Sequence, residues 1–216
     1  MRISRLACAL VGLIGACGDD GTSAGRGSQT LLVDAQVDYE DGGASARISV
    51  RRAGQSVGDA IVTLRSELGD VALVHEGNGV YRGRQAGWMG LYGIVVRAGA
   101  NGADHLDGAL APPEPAVLIR PTPDVAFDPH LAERGVIELA WAGDRADRIR
   151  VKTKEYDPGY VDDQGSVLVS NTYFIESHQE VSLRRENAVV LAGGTPGSEL
   201  RARVETKTEL NLLNPF

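Results

Sequence analysis

Three carboxylates fall within one short run, Asp157-Pro158-Gly159-Tyr160-Val161-Asp162-Asp163-Gln164-Gly165-Ser166. Calcium takes about six to eight oxygens from carboxylates and backbone carbonyls, and a loop of this kind can supply them. Asp157, Asp162 and Asp163 are therefore the calcium candidates. The EF-hand pattern fails, because positions 159 and 161 are Gly and Val and no Glu closes the loop. The competing reading is a solvated turn in which Asp163-Gln164-Gly165 reverses the chain. A hydrolase would need a pocket drawing together Asp157, Asp162 or His178, and no Gly-x-Ser-x-Gly elbow is present. His75-Glu76 opens like a zinc-protease helix, but Gly77 and Gly79 would break it and no second histidine follows at the required spacing. The remaining groupings, Asp104/His105/Asp107 in a Gly-bounded loop and Asp124/Asp128/His130 near two prolines, have no metal-ligand spacing. No catalytic residue and no cofactor is expected.

A second kind of chemistry is charge placed by strand geometry. Arg148, Arg150, Lys152 and Lys154 alternate with Ile149, Val151 and Thr153; Arg201, Arg203 and Lys207 alternate with Ala202, Val204 and Thr206. A period of two puts each set on one face of a strand. If the two strands share a sheet, the stripes can merge into a basic patch able to dock an acidic polymer or partner, although Glu205 and Glu138 weaken it. Water-facing strand positions are polar in any case. Trp88, in Gly87-Trp88-Met89-Gly90 between two strands, is a candidate exposed contact, whereas Trp141 reads as core. Aromatic content of 5% is low for a sugar-stacking platform.

The elements that must position these residues are strands. Alternation or short apolar runs predict strands over 31–37, 46–51, 61–65, 71–75, 80–84, 92–97, 117–119, 136–141, 148–154, 166–169, 180–184, 188–191 and 200–207. Turn pairs such as Asp41-Gly42, Asn78-Gly79, Pro158-Gly159 and Gly193-Gly194 separate many of them. No run gives a clean helical stripe. The expected class is all-β, with two tandem antiparallel sandwiches divided by the proline cluster at 112–116, which cannot sit in a central strand. The units are then 30–111 and 117–216, with one larger two-sheet domain as the alternative.

Val57 to Leu64 and the hairpin Gly77-Asn78-Gly79-Val80-Tyr81-Arg82-Gly83 followed by Tyr92 to Val96 resemble Ig-like modules of the carboxypeptidase regulatory-like and invasin-like kind. Val136 to Trp141 and Arg148 to Tyr156 resemble the second and third strands of a fibronectin type III-like sandwich, with a longer loop from 157 to 165. Both resemblances imply scaffolds for binding or spacing, and fold alone does not imply function.

At the start of the chain, Arg2 and Arg5 precede a nine-residue apolar run, Leu6 to Ile14, with Gly15-Ala16 before Cys17. This is the layout of a signal peptide over 1–16, and the run is shorter than the roughly 20 residues a membrane span needs. Ile14-Gly15-Ala16-Cys17 resembles the lipobox of bacterial lipoproteins. The resemblance implies that Cys17 becomes the first residue of the mature chain, carrying a diacylglycerol and an N-acyl chain such as palmitate. Cys8 leaves with the signal peptide, so no internal disulfide can form. Of 22 basic residues, the signal peptide removes Arg2 and Arg5, leaving 20 against 29 acidic residues, a net charge of −9. That argues against nucleic acid as a partner. Residues 17–29, which carry no apolar side chain larger than alanine after the cysteine, read as a lipidated flexible tether. The expectation is a lipid-anchored module of the bacterial cell envelope. Gly18 rather than Asp after the cysteine favours the outer membrane over the inner. Its expected role is to bind or space an envelope protein or polysaccharide, or to serve as an accessory subunit of an envelope complex.

Overall fold

The computed structural model describes residues 22–40, 42–87 and 91–216; the signal segment, Cys17 and Trp88 lie outside the described residues. Period-two patterning becomes strand almost wherever it runs. The first half of the chain forms β1 (Leu31–Glu40), β2 (Gly43–Arg52), β3 (Gln55–Ser56), β4 (Ile61–Ser66), β5 (Gly69–Ala72), β6 (Val74–Gly77), β7 (Val80–Ala86), β8 (Tyr92–Ala98) and β9 (Asp104–Leu110). The second forms β10 (Val117–Arg120), β11 (Val136–Ala142), β12 (Arg148–Lys152), β13 (Tyr160–Asp162), β14 (Ser166–Ser170), β15 (His178–Val190) and β16 (Glu199–Asn211). Among the described residues there is no α-helix, only four short 3-10 turns, and no helix long and apolar enough to cross a membrane.

Two hydrophobic cores result. The first lies between the sheet β5-β4-β8-β9 and the β6-β7-β2-β1 part of a nine-stranded sheet. Tyr39 meets Tyr92 edge-on across it, with ring centroids 5.3 Å apart. Tyr81 donates to Val57 O and accepts from Ala60 N, each at 2.9 Å, tying the loop before β4 to β7. The second core, with Trp141, Phe174, Leu183 and Leu210, lies between β10-β11-β14 and the β13-β12-β15-β16 part of the same large sheet. Trp141 is core, 5% exposed.

The large sheet runs β13-β12-β15-β16-β1-β2-β7-β6 without interruption. Its seam is the parallel pairing of β1 with the first half of β16, from Asp34 opposite Glu199 to Tyr39 opposite Val204. The proline segment 112–116 separates the cores on the outward pass of the chain, and the β15–β16 hairpin then returns to both. Leu191, Leu200, Ala202 and Val204 line the first core; Val181, Leu183 and Leu210 line the second.

Five local expectations change. The run at 71–75 is divided at Leu73 between β5 of the four-stranded sheet and β6 of the nine-stranded sheet. The runs at 180–184 and 188–191 are one 13-residue strand, because Arg185 and Glu186 are buried by pairing instead of ending it. Asp104, His105 and Asp107 sit in β9, paired along β8, not in a loop. Part of the 157–165 loop forms β13 on the edge of β12. Residues 22–29, expected to be free, are laid along β9: Ser23 N and Ala109 N donate to each other's carbonyls at 2.8 and 3.1 Å, and Asp107 N donates to Arg26 O at 2.9 Å. Backbone hydrogen bonds and glycine clearance hold this segment in place of apolar burial. A Cβ on Gly25 would stand 1.6 Å from Asp107 O, and one on Gly27 2.2 Å from Gly193 O.

A candidate binding face on the large sheet

Antiparallel register settles where the two basic stripes go. Arg148 is opposite Glu186 and Lys152 opposite Ser182 across β12 and β15; Glu186 is opposite Arg203, Arg184 opposite Glu205 and Ser182 opposite Lys207 across β15 and β16. The stripes of β12 and β16 therefore lie on one face of one sheet, with β15 between them. The next strand continues the face, since Asp38 is opposite Arg203 and Gln36 opposite Arg201.

What the register assembles is a checkerboard, not a basic patch. Arg148 and Arg203 both pair with Glu186, whose side chain is fully buried beneath them. Both guanidinium groups also stand over the Tyr160 ring, at 5.6 and 5.5 Å from its centroid. Arg150 grips Asp157 through two nitrogens. Arg184 pairs with Glu205, and Lys154 with Glu176. Lys207 pairs with Glu180 at 3.0 Å, and Arg201 with Asp34. Exposed pairs of this kind contribute about 0–1 kcal/mol each; their larger effect is to cancel the field of the stripes. The Arg150 hydrogen bonds draw the Asp157 carboxyl down to about 2. Burial pushes the Glu205 carboxyl up, but hydrogen bonds from Ser182 and Arg184 outweigh it, so that it too lies below its ordinary value. Hydrogen bonds to Glu176 and Glu180 raise Lys154 and Lys207.

A groove of about 470 Å³ opens on this face between Lys152, Lys154, Glu176, Glu180, Glu205 and Lys207. Gln179 borders it. Its side chain is wholly buried, and neither amide atom has a hydrogen-bond partner among the described residues.

The three carboxylates of the 157–163 run part company. Asp157 belongs to Arg150, and Asp162 is exposed on β13 opposite Arg148. Asp163 is buried: its Oδ1 accepts from Trp141 Nε1 at 2.9 Å and Gly165 N at 3.2 Å, its Oδ2 accepts from Ala146 N at 3.2 Å, and Arg185 Nε stands 2.8 Å from Oδ2 in an ion pair. Among the described residues no three His, Cys, Asp or Glu side chains are grouped to hold a metal ion. His178 lies at the far end of β15 from Glu186, eight residues or about 26 Å away along the strand, so it does not join Asp162. It pairs with Glu209 instead, at 2.9 Å.

The residues that sequence reasoning missed are Glu186, Tyr160 and Arg185. Arg185 occupies the inward phase of β15, with Gln179, Val181 and Leu183. A charged residue in an apolar phase signals a buried pair, though nothing local names Asp163 as the partner. Arg185 Nη1 donates to Glu114 O at 3.1 Å and Nη2 to Gly143 O at 3.3 Å, so one guanidinium clamps the proline segment and the turn after β11 onto β15.

No protein-family model matches the chain, and no curated protein matches it. Among solved structures, a two-domain fibronectin type III segment of chicken tenascin is similar over 84% of this chain and 99% of its own, at 12% identity and a TM-score of 0.28. Fibronectin(III)-like modules of Clostridium thermocellum CbhA are similar over 84% of this chain and 95% of theirs, at 10% identity and a TM-score of 0.27. The all-β sandwich class itself stands on the strands and sheets described above.

Proposed function

We propose that the protein is a non-catalytic envelope module, lipid-anchored through Cys17, whose units 30–111 and 117–216 share the β15–β16 hairpin, and which presents one rigid polar face to an envelope polysaccharide or protein. The observation that carries this reading is the unbroken sheet joining both cores. Parallel pairing of β1 with β16 and the Arg185 clamp suppress the hinge that two beads on a linker would have. A stiff body suits presentation and spacing. The groove beside Gln179 offers ammonium, carboxylate and hydroxyl groups at close quarters, a chemistry suited to hydroxyl- and amide-rich chains more than to a purely acidic polymer. In this reading the envelope is bacterial, and the outer membrane receives the anchor.

Protease shaving of intact cells, with the native protein beside Cys17→Ala, tests anchoring. Retention of the native form in the membrane fraction and release of the variant are expected; equal distribution of the two overturns the anchor. Sedimentation with purified envelope polysaccharide, comparing native protein with Lys152→Glu, tests the face, and unchanged co-sedimentation rejects the groove.

A second reading, an accessory subunit, is favoured by one observation. The sheet β10-β11-β14 exposes Val117 (60%), Ile119 (48%) and Leu168 (65%) on two short strands that have no further partner among the described residues. A partner strand or apolar surface would cover them.

A further inference from the structure

The docked segment 22–29 fixes where the chain leaves the folded body. Ser23 bridges Ala109 and Gly27 bridges Leu106, antiparallel to β9, so the chain exits at the Leu110 end of that strand. There Ala111 N donates to Thr22 Oγ1 at 3.4 Å, and Asn187 Nδ2 donates to Ala111 O at 3.4 Å. Asn187 belongs to β15 near the point where that strand passes from the second core to the first. The exit is therefore at the waist between the cores and not at a pole.

We infer that the docked segment acts as a latch that holds this waist against a lipid surface; the inference rests on the reading of Cys17 as the anchor. Five residue steps separate Cys17 from Thr22, a reach of at most about 18 Å, whereas thirteen free steps to Thr30 would reach about 46 Å. Docking thus removes more than half of the tether's reach. The body it restrains is long, since β15 and β16 have 13 residues each, about 43 Å. The rim beside the exit is net acidic: Glu114, Asp144 and Asp147 are exposed there against the exposed Arg145, with Glu114 Oε2 accepting from Asp144 N at 3.1 Å and Asp147 Oδ2 from Ala188 N at 2.7 Å. Like charge opposes anionic headgroups within a Debye length, about 8 Å at physiological salt. The tether's length therefore sets the gap on an anionic surface, and closer approach is allowed on a zwitterionic one. The checkerboard face belongs to the other sheet of the sandwich from the latch, which leaves it open to the aqueous side.

The test uses the mature chain from Cys17 with a lipid attached chemically to that thiol, bound to vesicles of phosphatidylcholine with or without phosphatidylglycerol. A fluorophore at Arg145, placed through an azide-bearing amino acid, transfers energy to headgroup-labelled acceptors. Inserting twelve Gly/Ser residues after Gly18 is expected to reduce transfer at least twofold on the anionic vesicles. Gly193→Val, which crowds Gly27 out of its seat, is expected to reduce it in the same direction. Transfer unchanged by the insertion overturns the inference, and because the insertion lies outside the folded body, misfolding of the glycine variant cannot obscure the result. Mass spectrometry of the protein purified from cells is read separately: an unmodified Cys17 would overturn the anchor without touching the measured geometry.

Discussion

Replacing Arg185 with methionine isolates the joint between the cores. The Arg185 and Asp163 side chains are 1% and 0% exposed, and Asp163 would keep its bonds from Trp141, Ala146 and Gly165 while losing the Arg185 cation. Breaking one side of a buried pair costs about 3–5 kcal/mol, because the remaining charge stays buried without compensation. For a chain of this size about 1 kcal/mol moves the melting midpoint by roughly 2–4 °C, so Arg185→Met is expected to lower it by about 6–20 °C. Losing the Glu114 and Gly143 carbonyl contacts should also uncouple the cores. Guanidinium unfolding followed by tryptophan fluorescence and by far-ultraviolet dichroism should then resolve into two transitions, against the one expected of the native protein. Trp141→Phe removes a single hydrogen bond to a carboxylate, about 1.5–3 kcal/mol. The double variant should fall short of the sum, since both changes act on the same carboxylate. A cost below about 1 kcal/mol for Arg185→Met, with coincident transitions, would refute the idea that this pair locks the joint.

Gln179→Leu should raise stability by about 1–3 kcal/mol in urea melts, since it removes a buried amide with no partner among the described residues and keeps the volume; a loss of stability would show that the amide is bonded in solution. Asp157 titrates near 2 in the folded chain against an ordinary 3.8, and Glu205 also lies low. Their stabilising contribution is therefore complete only above about pH 5 and is lost as pH falls from there toward 2, so melting midpoints should drop across that window and Arg150→Ala should flatten the drop. Trypsin should cut after Arg26 at least tenfold faster in Gly193→Val than in the native protein, because a side chain at 193 would meet the backbone of Arg26 at 2.1 Å. Equal rates would mean that the latch opens freely in the native state. Glu180→Ala together with Glu176→Ala frees Lys207 and Lys154 and should delay elution from a sulfated resin, whereas the native protein should pass nearly unretained.

Much of this protein was settled by local sequence. The alternation of Ala46, Ile48 and Val50 with Arg47, Ser49 and Arg51, and the like pattern at 149–153 and 200–206, chose strand over helix and fixed which residues face inward, because a pleated chain has a period of two whatever it pairs with. The inward placing of Trp141 and the outward placing of Arg148, Arg150 and Lys152 followed from the same period. Tertiary structure alone decided which strands became neighbours. Asp34 meets Glu199 across 165 positions of sequence, and no local pattern specifies a partner so distant. That choice interposed β15 between the basic stripes and added Glu186 and Glu180 to the Glu205 already legible in the stripe, turning a stripe of charge into a checkerboard. It also gave Asp163 to Arg185 instead of to an ion, and gave polar residues 22–29 a seat on β9, where glycine clearance and backbone hydrogen bonds do what apolar burial could not.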